Sequence, residues 1–228
     1  MKVQVIIPAA GKGLRLKTAT AKPLVLLKDK PIVVYSLEAF QKSSLIDSII
    51  LAVDKKYLFH YIEVIRRYKL TKVKKVVIGG ETRRESVSHG LHALDSNTEL
   101  VVIHDAARPF VTKELIQRAI SIAKKEKAAV VAVPVKSTIK AVDASTLKVQ
   151  KTLNRNTLWE IQTPQVFKKE IILKAHEKIK DKNPSDDALL VEKFGIKVKV
   201  VMGDYKNIKI TTSDDLVFAR AILDSRRN

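Results

Sequence analysis

Five short apolar runs, separated by longer stretches of helical period, limit the folds open to this 228-residue chain more than any other feature. The runs cover residues 3–7, 48–53, 74–78, 100–103 and 129–133, and they are rich in Val and Ile. A strand that is apolar on both faces is buried on both faces, which is typical of a parallel sheet covered by helices. The pattern therefore predicts an α/β fold built on a central parallel sheet.

The stretches between these runs carry apolar residues at the spacing of one helix face. The i, i+4, i+7 spacing is met by Leu58, Ile62 and Ile65, by Val87, Leu91 and Leu94, and by Leu115, Ala119 and Ile122. Side chains at that spacing line up on one side of an α-helix, which can then pack on the sheet. Strands and helices that alternate in this way form βαβ units, and we expect their crossovers to be right-handed.

The pattern changes after residue 134. Residues 135–165 alternate polar and apolar side chains around an Asp-Ala-Ser-Thr turn, which predicts a β-hairpin inserted into the α/β series. Beyond it we expect helices near 169–180 and 186–194, a strand at 197–201, and a last helix over 214–225 with Ser213 as its N-cap. No repeat or low-complexity linker divides the chain, so the sequence predicts one domain over 1–228 with a protruding arm at about 136–158.

Composition excludes several classes of function. The chain has no cysteine, which rules out disulfides, thiolate catalysis and thiolate metal sites and fits a reducing compartment. No apolar run reaches the roughly 18 residues of a membrane span, and the first residues show no signal-peptide pattern, so we expect a cytoplasmic protein without membrane contact. The net charge of +19 would attract polyanions, but the lysines are spread along the chain without interleaved aromatic residues. We therefore expect no specific nucleic-acid partner, with a non-catalytic polyanion-binding role as the alternative.

The first apolar run passes into a glycine-containing turn within the sequence VIIPAAGKGLRL. In parallel sheets such a turn lies at the carboxyl end of a strand, where Gly11 and Gly13 let backbone N–H groups approach an anion. A dinucleotide-binding loop would have glycine in place of Leu16, and a P-loop would contain Gly-Lys-Ser/Thr, so neither is present. The cations of this stretch instead favour a triphosphate site; they are Lys12, Arg15, Lys17 and Lys22. The alternative is a plain strand-to-helix turn with solvated lysines.

A second stretch, VVIHDAARPF, ends another apolar run with a histidine and a carboxylate. Asp105, at a strand end beside a phosphate site, is well placed to bind Mg²⁺. It could equally serve as a turn former or as the ionic partner of Arg108, and the sequence leaves these alternatives open. We interpret His104 as a structural residue of the strand end rather than as a general base.

Four motifs taken together resemble one enzyme family. They are PAAGKGLR with Lys22 downstream, HDAARP, TLNRNTLWEIQTPQ and NIKIT, and they occur in this order over residues 8–211. This set resembles the 2-C-methyl-D-erythritol 4-phosphate cytidylyltransferases of the non-mevalonate isoprenoid pathway. The resemblance implies a Rossmann-like nucleotidyltransferase fold, that is, a mostly parallel twisted sheet flanked by helices. It also implies Mg²⁺-dependent transfer of CMP from CTP to methylerythritol phosphate, with release of pyrophosphate.

The related ribitol 5-phosphate cytidylyltransferases are the nearest alternative. They typically open with Leu-Ala-Gly-Gly, whereas this chain has Pro-Ala-Ala-Gly, so the opening favours the erythritol enzymes. The later motifs, IQTPQ and NIKITT, suit either family.

The resemblance also implies roles for individual residues. Arg15 and Lys22 match the pair that stabilises the pentacoordinate phosphorus, and Asp105 matches the Mg²⁺ ligand. The residues that match the nucleotide site are Ala9, Ala10, Gly11, Lys12, Gly13, Gly80, Glu81, Arg83 and Ser86. Those that match the sugar-phosphate site are Asp105, Arg108, Thr138, Arg155, Thr163 and Lys209. The family often has Asp where this chain has Glu81.

Several polar and aromatic residues also have simpler interpretations. Thr82 and Glu85 have the spacing of a capping box at the start of a helix, and a binding role for these two residues is the alternative. We interpret Trp159 as hairpin or interface packing rather than as a stacking platform for a ligand. Three histidines lack the mutual spacing of a metal site and are expected to be ordinary helix residues; they are His60, His89 and His92.

The predicted arm is too polar to form a core of its own, and an isolated hairpin is at best marginally stable in water. We therefore expect it to pack against a twofold-related copy of itself, which gives a homodimer. The family resemblance implies more: the arm reaches the cleft of the neighbouring subunit, where Thr138 and Arg155 contact the sugar phosphate.

Overall fold

The computed structural model describes residues 1–11, 21–181 and 183–226, and it contains a central seven-stranded sheet with helices packed on both faces. In chain order the strands are β1 (Lys2–Pro8), β2 (Leu26–Leu27), β3 (Lys30–Pro31), β4 (Ser48–Val53), β5 (Val73–Ile78), β6 (Thr98–Ile103), β7 (Ala128–Pro134), β8 (Lys140–Val142), β9 (Val149–Thr152), β10 (Trp159–Lys168) and β11 (Lys199–Met202). The α-helices are α1 (Ile32–Lys42), α2 (Leu58–Arg67), α3 (Arg83–His92), α4 (Lys113–Glu126), α5 (Lys169–Lys178), α6 (Asp187–Lys193) and α7 (Ser213–Ser225). Short 3-10 helices cover Lys22–Leu24, Lys55–Tyr57 and Arg155–Thr157.

The main sheet has the strand order β11-β7-β10-β6-β1-β4-β5. Neighbouring strands are parallel throughout, except that β10 runs antiparallel to β6 on one side and to β7 on the other. The five apolar runs form β1, β4, β5, β6 and β7, with ends close to those that the sequence predicts. The prediction of a mostly parallel sheet flanked by helices is therefore confirmed.

The segment after β7 departs from the prediction of one long hairpin over 135–165. Only β8 and β9 pair as a hairpin, in a small sheet of their own, and both lie inside the predicted arm. Residues 159–168 form β10 instead and enter the centre of the main sheet. The hairpin prediction was wrong for this part because β10 buries Gln162, Thr163 and Gln165, and their alternation with apolar residues imitates a half-exposed strand.

Two helices also differ from the predictions made from the sequence. Helix α1 is not among the predicted helices, because its first residues, Ile-Val-Val-Tyr, are a β-branched and aromatic run typical of a strand. This run is nevertheless helical because Ile32, Val33 and Val34 are all buried by packing, which outweighs local propensity. In α7 the N-cap is Thr212 and not Ser213, since the Thr212 side chain accepts the amide N–H of Asp215 in a capping box.

Apolar side chains cover both faces of the main sheet. Helices α1, α2 and α4 contribute to one cluster, which includes Leu37 and Ile116, and helices α3, α5 and α6 contribute to the other, which includes Val87 and Ile172. A smaller cluster around Ile210 packs α7 against α1 and the short β2–β3 hairpin. Within the described part of the chain, no helix has the length and apolarity to span a bilayer.

The parallel strands bring several loops to one edge of the sheet. Strands β1, β4, β5 and β6 all end there, so the loops that follow β1, β5 and β6 converge. The loop after β1 starts with Ala9, whose N–H donates to the Ala52 carbonyl at 2.7 Å and whose carbonyl accepts the buried Tyr61 hydroxyl at 3.0 Å. Burial raises the pKa of Tyr61 far above its usual value, so the hydroxyl stays protonated and donates. Tyr61, on α2, therefore fixes the start of the glycine-containing turn.

We predict that Tyr61→Phe destabilises the fold by about 1–2 kcal/mol, because it leaves the buried Ala9 carbonyl without its donor. The measurement is the urea midpoint of unfolding. Tyr205→Phe is the matched control, since the Tyr205 hydroxyl also donates to a carbonyl, that of Pro134, but on the surface. The control should change stability by less than about 0.5 kcal/mol. Equal losses of stability in the two variants would show that the buried Tyr61–Ala9 hydrogen bond stabilises the fold no more than the exposed Tyr205–Pro134 bond.

Candidate active site

A cavity of about 560 Å³ opens where the loops converge. Its lining includes these residues of the predicted site: Ala9, Ala10, Gly11, Lys22, Gly80, Glu81, Arg83, Ser86, Asp105 and Lys209. They come from the loops after β1, β5 and β6, from the 3-10 helix at Lys22–Leu24, from the first turn of α3 and from the irregular segment after β11. Residues far apart in sequence therefore meet in one space. Lys12, Gly13 and Arg15 were also predicted to lie here, but they fall outside the described residues.

The loop between β5 and α3 forms one wall of the cavity. The Gly80 N–H donates to the Ser86 hydroxyl at 3.1 Å, and that hydroxyl donates in turn to the Thr82 carbonyl at 3.0 Å. The Glu85 carboxylate accepts the N–H groups of Glu81 and Thr82, at 2.7 and 3.1 Å, and the Thr82 hydroxyl accepts the N–H of Glu85. The capping box that the sequence indicates is therefore present and shapes the loop, and its Thr82 also lines the cavity.

Close backbone contact fixes this wall against the first loop. A Cβ atom on Gly79 would lie only 2.5 Å from the Cβ of Ala10, and one on Gly80 would lie 2.2 Å from the Cβ of Glu85. Both positions therefore require glycine for packing. Sequence reasoning assigned a role to Gly80 and Ala10 but missed Gly79, for which the paired glycines in GGETR were the available signal.

Three cationic side chains surround the Asp105 carboxylate at the cavity wall. Its Oδ1 accepts Arg83 Nε at 2.8 Å, its Oδ2 lies 2.6 Å from Lys209 Nζ, and the same oxygen is 4.0 Å from Arg108 Nε. Burial on its own would raise the pKa of Asp105, but Arg83 and Lys209 outweigh burial and hold this pKa well below its usual range. The carboxylate is therefore ionised at neutral pH.

The sequence leaves three interpretations of Asp105 open, and the structure contains two of them. The Arg108 N–H donates to the Asp105 carbonyl at 3.0 Å, so Asp105 begins a turn, and the two side chains are also ionic partners. The metal-binding interpretation stays a prediction. A fully ionised carboxylate on a cavity wall fits Mg²⁺, which is bound in proteins by one or two carboxylates together with waters and substrate phosphates. Within the described ranges no three His, Cys, Asp or Glu side chains group as ligands, so a site here would depend on the substrate for its remaining oxygens.

His104 and Thr163 support Asp105 from behind. The Asp105 N–H donates to the Thr163 hydroxyl at 3.1 Å, and the same hydroxyl lies 3.0 Å from His104 Nδ1. Burial lowers the pKa of His104 to about 4, so the ring is neutral, and its Nε2 lies 3.0 Å from the Arg108 carbonyl. The consistent proton arrangement has Thr163 donating to Nδ1 and Nε2–H donating to Arg108. His104 therefore has the structural position that the sequence predicts.

Arg108 is buried beside the cavity rather than lining it. Its Nη1 donates to the Asn207 carbonyl at 2.8 Å and its Nη2 to the Ile161 carbonyl at 3.2 Å. Burial lowers its pKa. These bonds tie the loop after β6 to β10 and to the segment that carries Lys209.

Arg83 joins the cavity to the helices behind it. Its Nη1 donates to Asp187 Oδ2 at 2.7 Å, while its Nε is engaged by Asp105. Burial alone would lower the pKa of Arg83, but Asp187 and Asp105 outweigh it and raise the pKa. Sequence reasoning missed Asp187, because an Asp-Asp pair before an apolar helix indicates a cap, and Asp186 does cap α6.

The remaining predicted residues lie on the arm, away from this cavity. Thr138 and Arg155 are exposed and do not line it, and Arg155 Nη1 donates to the Lys136 carbonyl at 3.1 Å. Trp159, at the start of β10, is exposed and pairs with Pro134 of β7. Within a single chain, the structure therefore does not bring Thr138 and Arg155 to the predicted site residues that line the cavity among those it describes.

Comparison with known proteins gives one consistent answer. A family model described as 2-C-methyl-D-erythritol 4-phosphate cytidylyltransferase matches residues 3–225. A protein of that name from Alkaliphilus metalliredigens (strain QYMF) is 45% identical over 232 residues, which cover 100% of this chain and 95% of the relative. The crystal structure of 4-diphosphocytidyl-2C-methyl-D-erythritol synthase from Anaerococcus prevotii DSM 20548 has a TM-score of 0.83 at 36% identity over 98% of each chain. The crystal structure of 2-C-methyl-D-erythritol 4-phosphate cytidylyltransferase from Francisella tularensis has a TM-score of 0.79 at 33% identity, over 97% of this chain and 100% of that one.

We predict that Asp105 makes stability depend on acid pH. Because its pKa is lowered in the folded protein, Asp105 contributes stability that is present above the unfolded pKa, about 3.9, and is lost as pH falls through the folded pKa. Asp105→Asn should cost about 3 kcal/mol at pH 7, and the difference from the parent should shrink as the pH is lowered to 3. Urea unfolding at a series of pH values measures this difference.

The control for that series is Asp214→Asn, an exposed carboxylate in the first turn of α7. This variant should differ from the parent by less than about 0.5 kcal/mol at every pH. A constant gap between the parent and Asp105→Asn across the series would contradict the assignment of the stabilising charge to Asp105.

Proposed function

Because this chain belongs to the 2-C-methyl-D-erythritol 4-phosphate cytidylyltransferase family, we propose that the cavity at the sheet edge is where it carries out that reaction. The chain transfers CMP from CTP to 2-C-methyl-D-erythritol 4-phosphate, giving 4-diphosphocytidyl-2-C-methyl-D-erythritol and pyrophosphate. The observation that carries the placement is that residues from four separate stretches of the sequence line a single cavity. They come from PAAG, GGETR, HDAA and NIKIT.

The reaction joins two anions, so charge dominates its barrier. A phosphate-monoester oxygen of the substrate attacks the α-phosphorus of CTP in line and forms a new P–O bond. At the same time, the bond breaks between the α-phosphorus and the oxygen that bridges it to the β-phosphate. Pyrophosphate leaves with the electron pair. The attacking oxygen is already ionised near neutral pH, since the second pKa of a phosphate monoester is about 6, so no general base is needed. The protein's task is therefore to position the phosphates and to stabilise their growing charge.

The chain's own cations suit that task. We assign Lys22, which lines the cavity, and Arg15 to the pentacoordinate phosphorus. Lys209 and Arg83 bind different oxygens of Asp105, and the Lys209 side chain is about one-third exposed, so it can leave Asp105 and turn to a phosphate. Asp105 would hold Mg²⁺, which when bound supplies further positive charge to the phosphates. The loop residues from Ala9 to Gly11, together with the loop and first helical turn from Gly80 to Ser86, would hold the nucleotide.

The two alternative functions are less well supported. Ribitol 5-phosphate cytidylylation would use the same chemistry, but the opening motif and the named relatives both favour the erythritol substrate. A purely polyanion-binding role rests on the net charge of +19 and gives no account of the cavity. A cytoplasmic location and the absence of a specific nucleic-acid or membrane partner stay predictions from the sequence.

We also propose that the enzyme is a homodimer in which the arm of one subunit completes the cavity of the other. Thr138 and Arg155 are matched to the sugar-phosphate site by family resemblance, yet they lie on an exposed arm outside their own chain's cavity. The arm also exposes apolar side chains, including Val142, Leu147 and Val149, and Leu147 is 79% exposed. Side chains of this kind are expected to be covered by a partner.

A pyrophosphate-release assay tests the function. CTP, ATP, GTP and UTP are each combined with methylerythritol phosphate and, separately, with ribitol 5-phosphate, and reactions without a sugar phosphate serve as controls. We expect release only when CTP is present together with methylerythritol phosphate. Release that is equal or faster with ribitol 5-phosphate would transfer the assignment to the alternative, and no release with either sugar phosphate would refute the enzymatic function.

Subunit complementation tests the shared site. Lys22→Ala and Arg155→Ala are each expected to be nearly inactive alone. When they are mixed at equal ratio and allowed to exchange, half of the dimers are mixed, and each mixed dimer has one site with an intact body and an intact partner arm. Activity should therefore recover to about a quarter of the parent value. Native mass spectrometry measures the exchange, and mixed dimers without activity would show that each arm serves its own subunit.

A further inference from the structure

A buried carboxylate behind the cavity has no part in the mechanism described above. Asp187 is the first residue of α6; it is 1% exposed and does not line the cavity. Its Oδ2 accepts Arg83 Nη1 at 2.7 Å, and its Oδ1 lies 3.1 Å from His176 Nε2 on α5. Burial alone would raise the pKa of Asp187, but Arg83 and His176 outweigh it and lower the pKa, so the carboxylate is ionised.

Arg83 is therefore held between two carboxylates through two different nitrogens. Its Nε binds Asp105 at 2.8 Å, and its Nη1 binds Asp187 at 2.7 Å. A guanidinium that faces a single carboxylate usually makes two parallel N–H···O bonds to it. Arg83 is bonded to one oxygen of Asp105, through Nε, and the other oxygen binds Lys209. The bond from Nη1 to Asp187 fixes the direction of the guanidinium and so favours this contact with one oxygen.

The elements that carry this chain of contacts are fixed to one another. Arg84, the neighbour of Arg83, donates to the carbonyls of His176 and Ile179 at 2.8 and 2.6 Å, and to that of Asp181 at 2.6 Å. These bonds join the start of α3 to the end of α5, which carries His176. The distance between Asp187 and the base of the Arg83 side chain is therefore set by helix packing, and the carboxylate can hold the guanidinium in one place.

We propose that Asp187 is a positioning residue that holds the Arg83 guanidinium in the cavity wall, so that Arg83 binds one oxygen of Asp105 and leaves the other available to the reaction. The proposal rests on the function proposed above. Without Asp187, Asp105 is the remaining carboxylate bonded to Arg83 in the described part of the chain, and the guanidinium would turn to bind both of its oxygens.

A double-mutant cycle tests the proposal, with Asp187→Asn, Arg83→Gln and the double variant. Two quantities are measured: the Kd of CTP by calorimetry at fixed saturating Mg²⁺ without sugar phosphate, and kcat/KM. If Asp187 acts through Arg83, Asp187→Asn should lower kcat/KM about tenfold and weaken CTP binding in the parent background. The same substitution should change both quantities less than about twofold once Arg83 is already Gln. Equal losses in the two backgrounds would overturn the proposal.

The matched control is Asp186→Asn. Asp186 precedes Asp187 at the start of the same helix and loses the same charge, but it contacts Gln165 and the Leu189 N–H rather than Arg83. Asn is also a good N-cap, so the helix start is preserved. This variant should keep kcat/KM within about twofold of the parent. A tenfold loss in Asp186→Asn as well would show that charge at the start of α6 matters in general, and the proposal would be wrong.

Asp187→Glu separates positioning from folding. It keeps the carboxylate, so it should retain more kcat/KM than Asp187→Asn at a similar thermal midpoint. Losses as large as those of Asp187→Asn, or failure of both variants to fold, would assign Asp187 to the stability of the fold and overturn the proposal. A parent enzyme that binds CTP but forms no product would refute the proposed function. The double-mutant cycle could then still be evaluated from the Kd of CTP alone.

Discussion

The ionised carboxylate of Asp105 balances three cations at the carboxyl edge of the sheet, and the arrangement of the cavity depends on it. Arg83, Lys209 and Arg108 come from three different parts of the chain, and without a central negative charge they would repel one another. Two of them also bind a second element, Arg83 at α6 and Arg108 at β10 and the segment before Lys209. The interaction that holds these elements together is thus the same one that sets the charge of the site.

The direction of β10 explains how Asp105 is held in place. Because β10 runs antiparallel to its neighbours, residues in its first half lie at the edge where the parallel strands end. The pairing of β10 with β7 is irregular between Ile161 and Gln165, and Thr163 lies within this irregularity. Such irregularities re-aim side chains in sheets. Here the Thr163 hydroxyl accepts the Asp105 N–H and contacts His104. The loop that carries Asp105 is therefore held in place by a side chain of strand β10.

The sequence predicts those parts of the structure that depend on local pattern. Continuous apolar runs predict β1, β4, β5, β6 and β7, and the spacing of Thr82 and Glu85 predicts the capping box at α3. The glycine turn and the carboxylate that follow two of these strands predict Gly11, Lys22 and Asp105 as site residues. The other predicted residues that line the cavity come from the family resemblance and not from local pattern.

The features that sequence analysis misses depend on tertiary contacts. The buried polar residues of β10 have partners distant in sequence: Thr163 contacts His104, and Gln165 donates to Asp186. Because these partners are not visible in the local sequence, the polar residues are read as exposed and the segment as a hairpin. The β-branched start of α1 is helical because of the core around it. Asp187 is indistinguishable in sequence from a helix cap, since its partner Arg83 lies 104 positions away. Burial of a polar group follows from such long-range partners, which local periodicity does not encode.

The cations of this cavity differ in how firmly they are held, and that difference suits a reaction between two anions. Arg83 is fixed by two carboxylates at a helix start, so its charge needs no reorganisation when phosphates arrive. Lys209 has one carboxylate contact, a partly exposed side chain and a position in an irregular segment, so it can exchange Asp105 for a phosphate oxygen. In the proposed reaction, Lys209 would leave Asp105 for the triphosphate, and Asp105 would gain a free oxygen. The fixed cation would then preserve the shape of the cavity while the movable one responds to the substrate, and both contact a single carboxylate that follows β6.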